Sequence, residues 1–395
     1  MNMPTATQSH TPEFVSILAT DKAVFTMLER LAYQQQWWAS GRQWQRTFGR
    51  WHAEGTTRAT LLYETVEKPQ ALCIVELFDA PPKTVSENQR ITCADRSGWL
   101  RLTRFPDDAA MPGLPRVLVQ HGGGHVLRYR PGKRCTIRFG GAIGQPVRFA
   151  KVFADKRGAQ IHAESQALWE ASQQGAFDFW VAQPLAWDAD TNTLWQGAAP
   201  GEPILDSLLS VKGPALAARM GRAAASITHS SLQPAKQFDG RAQLKRTRKY
   251  ARQLANYLPS AQPLLERLVA RLARAHEHVD AKRLRPLHGA PHAHQWLDDG
   301  RRLSLVDFDG FALGDPELDA ATFVTEMSFE DTAQVPVSAI CDAFLNNYEA
   351  VAGPLDAALL DAYCLHKRIS KALKYAYAIR TDGAARALAV LGESL

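Results

Sequence analysis

The segment that decides the fold comprises residues 287–319, which read LHGAPHAHQWLDDGRRLSLVDFDGFALGDPELD. It is dense in His, Asp and Gly and interrupts the otherwise helical second half of the chain. Asp298-Asp299-Gly300 forms a favourable turn between two short apolar runs, so this part of the segment predicts a hairpin. Such a hairpin places Gln295 and Asp307 beside each other at one end.

A basic hairpin is predicted upstream of this segment. Apolar and polar residues alternate in 127–130 and again in 134–139, and the Pro-Gly of the intervening residues 130–133 suits a tight turn. A third strand, 147–153, places Phe149 and Lys151 on the same face. Nine basic residues lie between positions 125 and 158 against one acid, Asp155: Arg128, Arg130, Lys133, Arg134, Arg138, Arg148, Lys151, Lys156 and Arg157. This charge is typical of a solvated hairpin face, a phosphate site or a nucleic-acid patch.

Helical periodicity follows the third strand. Residues 159–172 place Ile161, Glu164 and Leu168 on one stripe, and amphipathic helices recur from residue 216 onward. A β-rich piece that precedes a helical piece indicates an α+β fold with a cleft between the two.

The first third of the chain is harder to interpret. It predicts a helix over 23–38, strands over 57–63 and 71–78, and a loop rich in proline and acid that ends near Pro115. We therefore divide the chain into an N-terminal α/β extension of unknown role, an N-lobe and a helical C-lobe, with bounds 1–118, 119–197 and 198–395.

The composition limits the cellular setting. The net charge of +6 suits anionic ligands without identifying one. No apolar run approaches the roughly 20 residues that cross a bilayer, and the N-terminus lacks the pattern of a secretory signal. The five cysteines are odd in number and form no CxxC pair. We expect a reduced, cytoplasmic protein that is not bound to a membrane.

Four parts of the 287–319 segment carry a resemblance to the aminoglycoside phosphotransferase and choline kinase family. The family pattern is HGDxxxxN, a hairpin whose second strand ends in IDF or IDW, and GDPxxD. His288-Gly289, Gln295, Asp307-Phe308 and Gly314-Asp315-Pro316 with Asp319 are similar to these parts. The resemblance covers roughly residues 120–380 and implies a bilobal protein kinase-like fold, with a β-rich N-lobe and a helical C-lobe.

The resemblance also implies an activity and the residues that perform it. It implies ATP and Mg²⁺ as cofactors and phosphoryl transfer to a hydroxyl group of a small molecule, such as an aminoglycoside, a sugar or an amino alcohol. Lys151 then resembles the strand lysine that holds the nucleotide phosphates, and Glu164 the helical carboxylate that orients it. Gln295 and Asp307 resemble the metal ligands. Asp309 either helps to bind the metal or braces the loop.

The sequence departs from the family at the catalytic aspartate, whose position is occupied by Ala290. Two hypotheses follow. In the first, His292 or His294 replaces the aspartate as base; on an extended loop these two side chains would point the same way. In the second, the protein is a pseudokinase-like nucleotide-binding or regulatory module, with a protein as its partner. Nucleic-acid binding ranks lower, because no RNP, KH or helix-turn-helix signature is present.

Overall fold

The computed structural model describes residues 22–35, 38, 41–52, 57–66, 71–78, 80–83, 89–93, 99–142, 145–277 and 283–392. The N-terminal residues on which the signal-peptide prediction rests lie outside these ranges. No helix in the described ranges has both the length and the hydropathy that a membrane crossing requires.

The N-terminal part of the described chain contains one helix and an antiparallel sheet of five strands, in the order β1-β2-β3-β5-β4. We call this sheet the N-terminal sheet. Its strands and the helix that precedes them are α1 (Lys22–Gln35), β1 (Trp44–Trp51), β2 (Thr57–Thr65), β3 (Leu72–Phe78), β4 (Gln89–Cys93) and β5 (Trp99–Arg104).

The second sheet is the predicted N-lobe, and its five strands have the order β10-β11-β8-β7-β6. The predicted basic hairpin and third strand form as expected. The elements are α2 (Leu114–Gln120), β6 (His125–Arg130), β7 (Arg134–Phe139), β8 (Arg148–Phe153), α3 (Gly158–Gln173), β9 (Phe179–Trp180), β10 (Pro184–Asp188) and β11 (Thr193–Gly197).

A buried acid holds the tip of the basic hairpin. Asp108, in the loop rich in proline and acid, accepts hydrogen bonds from Tyr129 Oη at 2.7 Å and from Gly132 N at 2.8 Å. Leu114 and Val117 of α2 pack in the same core as Tyr129. The predicted domain boundary at residues 118 and 119 lies inside α2, so the exact boundary stays a prediction.

The remainder is the helical C-lobe, with two small sheets in the orders β12-β15-β16-β9 and β13-β17-β14. Its elements are β12 (Glu202–Pro203), α4 (Leu205–Leu209), α5 (Gly213–Ser226), β13 (Gln237–Phe238), α6 (Gly240–Tyr257), α7 (Gln262–Ala275), β14 (Arg285–Leu287), β15 (Trp296–Asp298), β16 (Leu303–Leu305), β17 (Ala312–Gly314), α8 (Glu317–Met327), α9 (Val337–Ala352), α10 (Ala357–Ala376) and α11 (Gly383–Gly392).

The N-terminal sheet packs against both lobes. On one face, Leu61 and Val75 share a core with residues of α6, α7, α10 and α11, among them Ile369. On the other face, Leu62 and Ile74 share a core with Tyr129 and other N-lobe residues. Because successive side chains of a strand point to opposite faces, β2 and β3 must be apolar on both sides. The N-terminal sheet therefore packs on the N-lobe with one face and on the C-lobe helices with the other.

Candidate active site

The loop that follows β14 is fixed by a required glycine and by hydrogen bonds that involve the side chains of Asp319 and His288. Gly289 has φ +86°, and a Cβ there would lie 2.2 Å from Gly310 O, so the position requires glycine. Asp319 accepts hydrogen bonds from the backbone N–H groups of His288 at 2.9 Å and of Gly289 at 2.8 Å. His288 Nε2 lies 3.1 Å from Val306 O, and Ala290 N donates to His288 Nδ1 at 3.3 Å. His288 and Asp319 thus brace the loop.

The hairpin β15–β16 makes the backbones of the two predicted metal ligands neighbours. Val306 N donates to Gln295 O at 3.0 Å, which places Asp307 directly beside Gln295. Asp307 has left-handed backbone angles, φ 69° and ψ 53°. Gln295 Oε1 is buried and forms no hydrogen bond with any residue that the structure describes. An orphaned buried carbonyl oxygen is costly unless a ligand completes it, and a hard cation is such a ligand.

Lys151 reaches from β8 across the cleft to the C-lobe carboxylates. Its Nζ lies 2.5 Å from Asp307 Oδ1 and 2.5 Å from Asp309 Oδ1. Arg134 of β7 forms a second ion pair with Asp309, and its Nη2 lies 3.8 Å from Asp307 Oδ2. Two cations from the N-lobe thus face two acids from the C-lobe.

The charge of Asp307 is maintained by these cations. Burial alone would raise the pKa of its carboxyl group. Lys151 opposes this effect through its charge and its hydrogen bond, and the charges of Arg134 and His288 also lower the pKa. Together they outweigh burial and hold this pKa below its usual range. Asp307 is therefore a carboxylate, the form that a metal ligand requires.

Arg134 is a site residue that sequence reasoning treated only as part of a charged hairpin. Its position in the sequence could have identified it, because it begins the strand after the tight turn and pairs there with Arg130. Thr136, two residues later on β7, pairs with Lys151 of β8, so Arg134 shares the face of Lys151.

Glu164 does not contact Lys151 in this structure. Its Oε1 accepts hydrogen bonds from Gln160 Nε2 at 3.0 Å and Ala235 N at 3.2 Å, while its Oε2 is buried without a hydrogen-bond partner among the described residues. Asp307 and Asp309 provide the carboxylates for Lys151 instead. The role of Glu164 as the carboxylate that orients Lys151 stays a prediction.

The two histidines near Ala290 do not lie on an extended loop, so the condition for their side chains to point the same way is not met. Residues 293–295 form a 3-10 turn, and the rings of His292 and His294 are 5.8 Å apart at 74° to each other. His292 is half-buried, whereas His294 is exposed. His292 Nδ1 is buried and has no hydrogen-bond partner in the described part of the chain.

Burial also sets the protonation of His292. It lowers the pKa of the imidazole; Glu326 and Asp307 oppose this effect, and His294 and Arg128 add to it. The ring is thus neutral at neutral pH and able to accept a proton. It is the more suitable of the two candidate bases.

The space behind Lys151 is small in this conformation. A cavity of about 40 Å³ is lined by residues that include Lys151, Leu194, Gln196 and Asp307. Ligand pockets generally have volumes of roughly 300 Å³ or more, so a nucleotide base requires the cleft to open. An open groove of about 740 Å³ between α6 and α7 contains none of the predicted site residues.

A comparison with known protein families identifies the family of the chain. A model described as the phosphotransferase enzyme family, APH, matches residues 146–354, more than half of the chain. The chain belongs to this family. The match begins just before the strand of Lys151 and includes the whole 287–319 segment. It confirms the resemblance that this segment carries.

Solved structures share the fold at low sequence identity. An amicoumacin kinase in complex with AMP-PNP, Ca²⁺ and its ligand has a TM-score of 0.51 at 14% identity, over 68% of this chain and 87% of that one. An aminoglycoside-3'-phosphotransferase of type VIII has a TM-score of 0.49 at 18% identity, over 66% of this chain and 99% of that one.

A choline/ethanolamine kinase family protein from Mesorhizobium loti has a TM-score of 0.47 at 16% identity, over 65% of this chain and 83% of that one. No curated protein sequence matches the chain. The fold of this phosphotransferase family member is the bilobal kinase-like fold that the sequence predicted.

Proposed function

We propose that the protein transfers the γ-phosphoryl group of ATP to a hydroxyl group of a small molecule. Membership of the phosphotransferase family supports the reaction class. The observation that carries the proposal is the ion pairing of Lys151 with Asp307 and Asp309 between the two lobes; the buried Gln295 oxygen that lacks a partner among the described residues adds support. The resemblance implies aminoglycosides, sugars and amino alcohols as possible acceptors.

The donor set fits a magnesium ion. Gln295 Oε1 and the carboxylates of Asp307 and Asp309 are hard oxygens, and Asp307 is ionised because Lys151 and Arg134 lower its pKa more than burial raises it. Gln295 and Asp307 would hold the ion, with Asp309 beside them. When bound, Mg²⁺ neutralises negative charge that develops on the phosphates during transfer.

Lys151 and Arg134 would bind the nucleotide phosphates. Both are strong donors that now contact Asp307 and Asp309. Phosphoryl transfer depends mainly on positioning and on neutralising charge, and both cations lie where the two lobes meet. Binding of the nucleotide would exchange some carboxylate contacts of these cations for phosphate contacts.

His292 would act as the general base in place of the missing aspartate. Its Nδ1 would accept the proton of the acceptor hydroxyl, the hydroxyl oxygen would bond to the γ-phosphorus, and the bond from that phosphorus to the leaving oxygen of ADP would break. A general base contributes roughly 10² to 10⁴ in rate, so an enzyme without one would be slow but not inactive.

A catalytically impaired nucleotide-binding or regulatory module is the second candidate. One observation that favours it is Ala290, which cannot act as a base. Another is the pairing of Lys151 and Arg134 with Asp309, because these ion pairs occupy the cations that would bind phosphate. In this case the protein binds MgATP and does not transfer its phosphate.

One pair of measurements tests the proposal. ADP formation is followed with ATP, Mg²⁺ and a panel of hydroxyl acceptors, and MgATP binding is measured separately by calorimetry, with Lys151→Ala as the control in both. Acceptor-dependent ADP formation that Lys151→Ala abolishes supports the enzyme. Binding without turnover supports the regulatory module, and the absence of both contradicts the two candidates.

A further inference from the structure

The helices α6 and α7 form a strongly basic hairpin on the surface of the C-lobe. They contain nine basic residues against one acid, Glu266, which gives this pair of helices a charge of +8, whereas the whole chain has +6. All nine basic side chains are exposed: Arg241, Lys245, Arg246, Arg248, Lys249, Arg252, Arg267, Arg271 and Arg274. Asp239, just before α6, is engaged as its N-cap and accepts a hydrogen bond from Ala242 N at 2.8 Å. The surface of the hairpin therefore attracts negative charge.

Four of these cations form a stripe along one face of α6: Arg241, Lys245, Arg248 and Arg252. They are spaced by four, three and four residues, the spacing at which side chains share a helix face. The stripe is about 16 Å long, since a helix rises 1.5 Å per residue. In the part of the chain that the structure describes, these four side chains form no ion pair and no hydrogen bond. By contrast, Arg271 of α7 forms an ion pair with an acid of α10.

The stripe borders the open groove of about 740 Å³ between α6 and α7, which we call the α6–α7 groove. Arg248 and Arg252 belong both to the stripe and to the lining of the groove. The groove is otherwise lined mainly by apolar residues: Ala251, Ala255, Leu265, Val269, Ala270 and Ala273. The lining positions recur every three or four residues on both helices, so the groove runs along the helix pair. An apolar groove with a cationic rim distinguishes this surface from an ordinary solvated helix.

The two rims of the α6–α7 groove differ in charge. The α6 rim contains Arg248 and Arg252, whereas the α7 rim contains Gln262 and Glu266. Glu266 Oε1 accepts a hydrogen bond from Gln262 Nε2 at 2.9 Å, and this acid forms no ion pair with a described residue. A ligand that fits the groove therefore places its negative charge on the side of α6.

We propose that the α6–α7 groove is a docking site for an amphipathic helix of a partner protein. The apolar stripe of that helix fills the groove, and carboxylates along one of its flanks contact the α6 cations. A helix matches this surface because its flank residues recur with the same pitch of about 5.4 Å as the cations of α6. A nucleic acid would use the cations and leave the apolar lining unused, since the phosphate backbone is charged throughout.

This docking site is separate from the proposed phosphotransferase site. None of the predicted site residues lines the α6–α7 groove. Binding of the partner helix therefore requires neither nucleotide nor turnover, and it can be measured whether or not the protein transfers phosphate.

The first test measures the binding of synthetic peptides to the full chain by fluorescence anisotropy. The probe is a helical peptide of the same length as α6, 18 residues, with a leucine stripe and glutamates at i, i+4, i+7 and i+11 on one flank. One control has glutamine in place of the glutamates, and a second has the composition of the probe in scrambled order. We expect the probe to bind about tenfold more tightly than either control. Equal binding of the probe and the scrambled peptide, or no binding of the probe at millimolar concentration, would overturn the proposal.

The second test uses matched charge variants. Arg248→Gln combined with Arg252→Gln should weaken binding of the probe about tenfold, because two exposed ion pairs are lost. Arg267→Gln removes an exposed positive charge from α7 outside the groove lining and should change the affinity less than about twofold. If Arg267→Gln weakens binding as much as the double variant, the probe senses total charge and the proposal is wrong.

The third test separates the apolar groove from its charge. Ala270 is exposed and lines the groove, and Ala270→Lys adds both a positive charge and a polar side chain there. If the probe fills the groove, its affinity should fall about tenfold despite the added charge, because the lysine occupies the apolar space. Tighter binding of the probe would show attraction by charge alone and contradict the proposal. Unchanged melting temperatures show that the variants keep the fold.

Two further measurements identify other occupants of the groove. Sedimentation of the chain without peptide should show no self-association; a dimer that the Arg248→Gln and Arg252→Gln double variant abolishes would make a second copy the occupant. A single-stranded RNA oligonucleotide should bind more weakly than the probe. A dimer of this kind, or tighter binding of the RNA, would overturn the proposal.

Discussion

The two ends of the cleft differ in how their charges are compensated. At the end that we propose for the nucleotide (the nucleotide end), Lys151 and Arg134 face Asp307 and Asp309, so two cations meet two acids. At the end that we propose for the acceptor (the acceptor end), Ala290 stands where the resembling family has an acid, and the nearby His292 Nδ1 has no hydrogen-bond partner among the described residues. In our proposal, the nucleotide end therefore keeps its charged groups, whereas the acceptor end has lost an acid. Substitutions at each end should separate these two roles.

The largest effect is expected at the nucleotide end, from Asp307→Asn. Removing this charge should reduce phosphoryl transfer by about 10³-fold or more, since Asp307 binds both the metal and Lys151 in our proposal. MgATP at a hundred times its dissociation constant should stabilise the parent by about 2.7 kcal/mol in a thermal unfolding assay, and the variant should lose most of this shift.

Asp299→Asn is the matched control for Asp307→Asn. Asp299 is exposed in the β15–β16 turn, where it accepts backbone hydrogen bonds from Arg301 and Arg302. It should leave the nucleotide-dependent shift unchanged. A parent protein that shows no shift at millimolar MgATP would contradict nucleotide binding.

The next effect is expected at the acceptor end, from His292→Ala. The rate of phosphoryl transfer should fall by roughly 10² to 10⁴, whereas the exposed His294→Ala should change it less than threefold. Because burial lowers the pKa of His292, the base stays neutral below the ordinary value of about 6.5. The rate should therefore persist to a more acid pH than a free imidazole allows, and fall when the ring is protonated.

The profile of rate against pH checks this assignment. The acid limb of the parent should lie below pH 6.5 and should disappear in His292→Ala. If His294→Ala instead removes the activity, the base has been assigned to the wrong histidine.

A third substitution restores the family's acid at the half-buried position 290. If His292 is the base, Ala290→Asp should leave transfer within about tenfold of the parent or reduce it, because His292 already accepts the proton that the new carboxylate would take. Measured ADP formation that rises by about 10² or more would instead indicate a disabled site that the aspartate repairs.

The smallest effect is expected from Glu164→Gln. In this structure Glu164 contacts Gln160 and Ala235, not Lys151, so the amide should change the KM for ATP and the transfer rate less than threefold. Steady-state kinetics at saturating acceptor measure both quantities. A loss of 10² or more would show that the Lys151–Glu164 pair forms when the nucleotide binds.

Much of the fold could be predicted because its signals are local. The turn at residues 298–300 fixes the hairpin that places Gln295 beside Asp307, and period-two alternation fixes the basic hairpin. The ion pair of Arg134 with Asp309 could not be predicted in this way, because 175 positions separate the two residues. The 3-10 turn over residues 293–295 was not predicted, because the alternating side-chain directions of an extended strand do not apply to this short loop.

The packing of the N-terminal sheet has a signal in the sequence. Residues 72–78 read LCIVELF, an almost continuous apolar run rather than an alternating one. Such runs indicate strands that are buried on both faces, as β3 is between the two lobes.

This sandwiched position of the N-terminal sheet has a consequence for how the chain is made. β1–β3 leave the ribosome long before helices α10 and α11, with which Leu61 and Val75 complete their core. Trp51 N likewise donates to Tyr377 O at 2.9 Å, across most of the chain. Contacts of such high sequence separation form slowly, and they leave an apolar sheet face incompletely covered until α10 and α11 have been synthesised. The nascent chain is thus exposed to aggregation until then, and a stop codon before α10 would yield a product whose sheet stays partly uncovered.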